Sequence, residues 1–561
     1  MVTAGNDSTE TPPLQIVPLG GLGEFGMNMM ALRWRDAVLV VDAGLMFPEE
    51  SYHGIDYVVP DMRYLFDDPD ALKAVVLSHG HEDHIGALPH LFQRLKAPVY
   101  GTPLTLGFAR ERLEEYGLGA GGGLLRPVRA GERVSAGPFE IECLQVTHSI
   151  PDALALAIRT PAGLVVHTAD FKMDQLPVDG RLFDFRRFSE LGDEGVLALL
   201  SDSTNASRPG FTPSERRVGQ ALEPLVRAAR RRVVVTTFAS NIHRIQQVVD
   251  IAARNGRKVA FLGRSLADNL RVATELGHLR MPPGIAVEGR EIARTPPDQL
   301  VVVASGSQGE PMSSMTRIAL DDHADLSVGP GDLVILSARR IPGNERSIVR
   351  MVNHLCRRGV DVLMDDTPGV HVSGHASREE LRIMIALTRP RYFIPVHGDF
   401  MHLSQHARLA REMGLPDERV LLVETGDQVE ISAAGARVAA KAPVGSVFID
   451  GTLDEVEEMV IRDRRHIAED GFVLPIVVID KHTGEVPSPP EIVSRGFVWM
   501  QDREALFADA SRVVLESIQA SSVEERADDG FIRTRIHADL KRFIRKRTQK
   551  RPLIIPVVLE V

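Results

Sequence analysis

AVVLSHGHEDHIGALPHLFQRL, from Ala74 to Leu95, decides how this chain is read. A run of apolar β-formers breaks after Ser78 into His-Gly-His-Glu-Asp-His, and an apolar, helix-like stretch resumes at once. Neutral imidazole nitrogen and ionised carboxylate oxygen are the donors that zinc and manganese accept. His79, His81, Asp83 and His84 are therefore candidate metal ligands, fanned toward one point by the turn between strand and helix. Four ligands exceed what one open hydrolytic site takes from a single loop, which points to two ions sharing the turn. The remaining ligands must come from distant strands. His148 ends the run FEIECLQVTH, Asp170 follows LVVHTA, and His397 ends YFIPV, so each stands where a strand gives way to a loop. Among 19 histidines a lone one is more often structural or exposed, and His53, His90 and His167, which lack the pattern, are read that way.

At 561 residues the chain is too long for one core, and two to four domains are expected. Its 44% hydrophobic and 25% charged residues are ordinary for a globular protein, and no apolar run reaches the ~18–20 residues of a membrane helix. The opening MVTAGNDSTETPP has neither a basic start nor an apolar centre and reads as a disordered leader, residues 1–13. Two cysteines far apart in sequence, Cys143 and Cys356, exclude a disulfide framework and fit a reducing cytoplasm. The net charge of −11 does not advertise a nucleic-acid binder, but local basic patches decide that question rather than the total. Two such clusters, RAARRRV (Arg227 to Val233) and DLKRFIRKRTQKRP (Asp539 to Pro552), read first as solvated helix faces or tails.

Short β-rich runs with polar ends fill residues 14–212. Strand–helix alternation follows over 213–365, as in RVVVTTFA, NIHRIQQVVDIAARNG, KVAFLG and LVVVASG, and marks an inserted α/β domain. The first pattern returns over 366–448. Residues 449–462 read as a linker and 463–561 as a small α+β domain with strands in FVLPIVVID, RGFVWM and RPLIIPVVLEV.

HxHxDH followed by single His, Asp and His ligands resembles the metallo-β-lactamase fold of two-metal hydrolases. That resemblance implies an αββα sandwich in which His79, His81 and His148 hold one ion. Asp83, His84 and His397 hold the other, and Asp170 bridges them. It also implies that Asp83 orients or deprotonates the attacking water. LLSDSTNA, which carries Asp202, together with GVHVSGHASREE and IPVHGD, resembles the β-CASP nucleases of that superfamily. PLGGLGEFGMNM, SDSTNASRPGFTPSE, TTFASNIHRIQQV, SGSQGEPMS, RRIPGNE and SRGFV narrow the resemblance to the bacterial ribonuclease J family, over nearly the whole chain. What this implies is a cytoplasmic ribonuclease with 5′-to-3′ exonuclease activity, a preference for a 5′-monophosphate, endonuclease activity on single-stranded RNA, and a role in RNA maturation and decay. Two zinc or manganese ions, a homodimer or homotetramer, partners in an RNA-degradation complex and no membrane association belong to the same expectation. Asp202 and His375 would be catalytic, with His375 stabilising the scissile phosphate or the leaving group.

Ser240, Asn241 and His243 follow a strand and open a helix, where free N–H groups attract anions. Ser307 lies in SGSQGE, whose small residues let backbone amides approach a phosphate, and His371, Val372, Ser373, Gly374 and His375 form a similar loop. Singly each is an ordinary turn; together they read as a channel for single-stranded RNA. Met27 and HGDFMHL replace residues that relatives carry as bases, which would weaken contacts to RNA at the rim. A structural calcium on Asp56 and Asp450 is a further expectation from the family. A small-molecule hydrolase of the lactonase or glyoxalase type has no use for so large an insertion. A catalytically silent RNA-binding scaffold does not fit the intact ligand set, and a DNA-directed β-CASP nuclease fits the C-terminal domain less well.

Overall fold

The computed structural model describes residues 11–48, 52–119, 121–341, 343–451, 453–480, 483, 485–497, 503–526 and 528–561. The described residues up to 47 and from 57 to 447 form one compact unit, and those within 48–56 and 448–561 form a second. Most of the expected leader, residues 1–10, lies outside the described residues.

Two sheets face each other in the first unit. The larger runs in the order Ala436–Lys441, Asp427–Ile431, Leu14–Gly20, Met29–Trp34, Ala37–Val41, Leu72–Val76, Val99–Gly101, Leu125–Pro127. The other runs Tyr392–Val396, Val196–Asp202, Gly163–His167, Leu154–Thr160, Phe139–Gln145, Arg133–Ala136. Ile16, Leu32, Leu39, Val41 and Val76 of the first meet Ile141, Leu156, Ile158, Leu200 and Ile394 of the second. The outer face of the second sheet (Ala155, Ala157, Val166, Leu199, Phe393) is covered by Phe188, Leu191, Leu381, Met384, Ile385, Ala407 and Ala410 from three helices. Strands such as Ala37–Val41 are buried on both faces, which is why they read as unbroken apolar runs rather than as alternating ones. The result is the expected αββα sandwich.

Between Asp202 and Tyr392 the chain leaves this sandwich and returns to it, and the strands it leaves from and returns to are parallel neighbours. The excursion builds a wholly parallel sheet in the order Lys258–Leu262, Leu300–Ala304, Val233–Thr236, Leu333–Leu336, Asp361–Leu363. Its core holds Val234, Val302, Val334, Met315, Ile348 and Leu355. The return is anchored by a capping box at helix Arg378–Thr388, where Ser377 and Glu380 satisfy each other's backbone N–H groups. Glu380 also accepts from the N–H groups of Met173 and Thr212, tying the outgoing and returning segments to the sandwich.

In the second unit, strand Phe472–Ile479 runs antiparallel to Glu491–Arg495 and parallel to Leu553–Ile554 and Val557–Glu560. Helices Arg503–Gln519 and Asp529–Thr548 present Leu506, Ala510, Val514, Ile518 and Ile532, Ile536, Leu540, Ile544 to it at four-residue spacing. The strand expected in RGFVWM ends at Arg495 instead, because Gly496 turns in the left-handed region (φ 70). Val498 to Met500 lie outside the described residues. The stretch 449–462, read as a linker from its composition, carries a β-hairpin pairing Phe448 with Val456 and the first turn of helix Glu458–Asp470. Its Gly451 supplies the turn, a local signal that composition alone does not separate from a loop.

A candidate metal centre between the sandwich and the inserted domain

Strand Leu72–Val76 ends beside the helical turn Glu82–Ile85, and this short passage places His79, His81, Asp83 and His84 together. Strand ends deliver the rest. His148 follows Phe139–Gln145, Asp170 follows Gly163–His167, and His397 follows Tyr392–Val396. Asp42, Ala169 and His397 all adopt left-handed backbone (φ 63, 48 and 59), a costly conformation for non-glycine residues that concentrates where a fold aims functional groups.

Ligand atoms of His79, His81, His148 and Asp170 all lie within 4.8 Å of one another, as do those of Asp83, His84, Asp170 and His397. His79 Nε2 is 2.9 Å from His81 Nδ1, and His148 Nε2 is 3.2 Å from the same atom. Asp170 Oδ2 stands 3.7 Å from His79 Nε2, 3.8 Å from His148 Nε2 and 3.3 Å from His84 Nε2, between the two sets. His397 Nε2 and His84 Nε2 lie 3.5 and 3.7 Å from Asp83 Oδ2.

The surrounding shell sets the tautomers. His84 Nδ1 donates to Asp42 Oδ2 at 2.8 Å. His79 Nδ1 donates to Ser78 Oγ at 3.0 Å, and that hydroxyl donates to Asp42 Oδ2. His148 Nδ1 donates to the Gly374 carbonyl at 2.8 Å, and His397 Nδ1 to Thr204 Oγ1 at 2.9 Å. Each of these four rings therefore turns its Nε2 inward, the nitrogen that metal-binding histidines offer once a proton there is displaced and their other nitrogen is fixed. Burial holds His79 and His148 well below the ordinary imidazole value and pushes His81 down to about 4, so these three are neutral donors. Burial opposes charge on His84 and His397 too, yet Asp170 and the neighbouring carboxylates raise both, His397 to about 10. Negative potential that holds protons on two buried imidazoles is the demand a divalent cation meets. Donor chemistry, tautomers and potential all fit two such ions.

Asp202 and His375 adjoin this centre. His375 Nδ1 is 2.8 Å from Asp202 Oδ2 and 3.9 Å from Asp170 Oδ2, and its ring stacks on His397 at 5.4 Å between centroids. Asp202 Oδ1 accepts from the Thr204 amide and hydroxyl.

The loop from His371 to His375 is held from behind. Lys172, fully buried, donates to the carbonyls of Ser373 and Pro213. Arg244, also fully buried, pairs with Glu215 through two nitrogens at 2.9 Å and donates to the Val372 carbonyl. Asn205 donates to Ser373 Oγ and to the His375 carbonyl. Arg244 Nη1 also donates to His371 Nδ1 at 3.0 Å. A guanidinium only donates, so His371 carries its proton on Nε2, and that buried N–H has no hydrogen-bond partner. Burial, together with Arg244, Arg339, Arg208 and Lys172, keeps His371 well below its ordinary value. An unpaired N–H in so positive a field is a seat for an anion.

Not every expected contact is placed for such work. Asn241 caps helix Ile242–Arg254 by accepting from the Arg244 amide, and Ile242 N bonds Ser240 O, so two of the donors at that helix start are already used. Ser240 is half-buried, while His243 and Ser307 are buried. Met27 is buried too, with its amide on Leu45 O, and offers nothing at a rim. Asp56 accepts from Gly451 N and Asp450 is paired with Arg464. Among the described residues, neither belongs to a cluster of three or more potential ligands. Asp42, Ser78, Thr204, Lys172 and Arg244 escaped the sequence reading. Asp42 carried a usable signal, since it ends the apolar run AVLVV as Asp170 and Asp202 end theirs.

Four family models match the chain: "Metallo-beta-lactamase superfamily" over residues 22–171, "Ribonuclease J, beta-CASP domain" over 230–355, "Zn-dependent metallo-hydrolase RNA specificity domain" over 360–423, and "Ribonuclease J C-terminal domain" over 459–561. Ribonuclease J of Thermus thermophilus is 42% identical, across 98% of this chain and 95% of its own. Ribonuclease J 1 of Streptococcus pyogenes is 37% identical, across 99% of each. A crystal structure of a protein of unknown function from Enterococcus faecalis shares the fold at a TM-score of 0.53 and 17% identity, covering 75% of this chain and 100% of that one.

Proposed function

The chain belongs to the ribonuclease J family and is a metal-dependent ribonuclease that binds RNA, and from that premise we propose that it cuts single-stranded RNA at a centre of two zinc or manganese ions. His79, His81 and His148 would hold one ion and Asp83, His84 and His397 the other, with the Asp170 carboxylate available to both sets. The observation that carries this reading is the meeting of two donor sets on one buried carboxylate, beside a loop whose His371 N–H lacks an acceptor. When bound, the ions acidify a water molecule and neutralise charge building on the phosphodiester oxygens. Asp83, half-exposed at the mouth, orients the water and takes one of its protons. As the P–O bond to water forms, the P–O3′ bond breaks, and His375 gives its Nε2 proton to the departing oxygen. Asp202 holds the other ring nitrogen and balances the imidazolium before transfer. His371, Val372, Ser373 and Gly374 seat the phosphate. Asn241, by capping the helix that carries Arg244, supports that seat from behind, and Ser240, His243 and Ser307 extend the RNA path beyond it.

The activity is 5′-to-3′ exonucleolytic, favouring a 5′-monophosphate, with internal cleavage of single strands as well. It serves RNA maturation and decay in the cytoplasm, where the unpaired Cys143 and Cys356 stay reduced, with the enzyme acting as a homodimer or homotetramer within an RNA-degradation assembly. No helix among the described residues is long and apolar enough to cross a membrane.

Product analysis on RNA labelled at a 5′-monophosphate tests this, comparing wild type with Asp83→Ala and His84→Ala in manganese and in zinc. Labelled mononucleotides released by wild type alone are the expected result. RNA left intact by wild type in both metals would overturn the reading.

A further inference from the structure

Helix Glu345–Arg357 of the inserted domain buries Ile348, Met351 and Leu355 and turns Arg346, Arg350, Asn353 and Arg357 outward, at positions i, i+4, i+7 and i+11. With Glu345 and Val349 these residues line a shallow furrow of about 390 Å³. Some exposed arginines elsewhere on this acidic protein sit against a carboxylate, as in Arg186–Glu190, Arg227–Glu223, Arg271–Glu111 and Arg437–Glu430, and others, such as Arg264 and Arg290, stand singly; what sets this group apart is that three of them share one helix face. Among the described residues, Arg346, Arg350 and Arg357 form no ion pair, and Glu345, the nearest acid in sequence, accepts from Gly343 N instead. Helix stability does not account for them all, because Arg346 sits in the first turn, where the helix dipole disfavours a cation.

The helix also starts from the site. Arg339 donates to Asn205, which holds the Ser373 loop; Gln308 bonds Arg339 O and Ile341 N, and Gly309 packs against the backbone of Ser347 so closely that a Cβ would meet it at 2.6 Å. We propose that this arginine stripe is a docking track for the phosphates of the RNA strand lying outside the cleft. The inference rests on the ribonuclease reading and extends it to a surface remote from the metals.

The test compares metal-loaded wild type with the triple variant Arg346→Gln/Arg350→Gln/Arg357→Gln, using 5′-monophosphorylated single strands of about 5 and about 40 nucleotides. A triple Arg→Lys variant keeps the charge and serves as the rescue. The Gln variant is expected to raise KM for the long RNA about tenfold and to flatten the slope of log(kcat/KM) against log salt by about 2, at ~0.7 per lost phosphate contact. The short RNA, kcat and the unfolding midpoint stay as in wild type, and the Lys variant keeps the salt slope. Unchanged KM and slope on long RNA that wild type still cleaves would overturn the track while leaving the nuclease standing. Failure of wild type on both lengths would instead overturn the nuclease reading. A changed sedimentation coefficient without a changed KM would assign the stripe to contacts between copies, and would equally overturn the proposal.

Discussion

Gly374 sits against His148 so closely that a methyl group there would lie 2.7 Å from the ring's Cε1, while its carbonyl accepts the ring's Nδ1–H. One residue therefore sets both the position and the tautomer of a metal-binding candidate from 226 residues away in sequence. Gly374→Ala is expected to push the ring off its seat and lower metal affinity by about 10–100-fold, with little change in unfolding midpoint of the metal-free protein. A calorimetric metal titration measures it, and unaltered affinity would count against His148 as a ligand. The same logic explains why the cluster of candidate ligands was readable in sequence and most of its supports were not. His79, His81, Asp83 and His84 announce themselves by spacing within one turn. Thr204 and Ser78 act through hydrogen bonds to partners the fold brings near, His397 and Asp42, and Gly374, singled out only as part of a phosphate loop, proves to hold His148 as well.

At the level of elements, Glu142 shows how the edge of the second sheet is tied down. From strand Phe139–Gln145 its carboxylate meets Arg187 of helix Phe185–Glu194 through two nitrogens, and Arg159 and Arg133 of the flanking strands at 2.9 and 3.1 Å. Burial alone would raise its pKa; the three guanidinium groups win and bring it down to about 2. A carboxyl depressed in the fold stabilises fully above its unfolded value of 4.5 and loses that contribution as pH falls through about 2. Glu142→Gln should therefore cost about 2 kcal/mol at neutral pH, with the difference from wild type closing between pH 4.5 and 2. Urea unfolding at stepped pH reads this out, and a constant gap would refute it. Sandwich strands and inserted-domain alternation were legible because burial on both faces and strand–helix periodicity leave patterns in sequence. The hairpin after Phe448 was not, since two short strands of mixed polarity look like any loop. Asn241 misled for a related reason: the residue type that attracts an anion at a helix start is also the one that caps it.

For the whole molecule, every candidate ligand from His79 to His397 lies in the first compact unit, and none in the second. Saturating zinc or manganese is thus expected to raise one calorimetric transition, by a stabilisation of about 4 kcal/mol at a thousandfold excess over Kd. The transition of the C-terminal unit should stay where it is. Both moving together would show that the two units unfold as one. Contact order carries a last consequence. Strand Leu14–Gly20 finds its outer partner only at Asp427–Ile431, with Gln15 opposite Glu430, and His397 follows His84 by more than half the chain. At a synthesis rate of about 5–20 residues per second, tens of seconds separate the two ligands' emergence from the ribosome. A nascent polypeptide holds only part of the candidate donor set throughout that interval, so on the proposed mechanism it cannot attack the messenger that encodes it until about seven-tenths of the chain has been made.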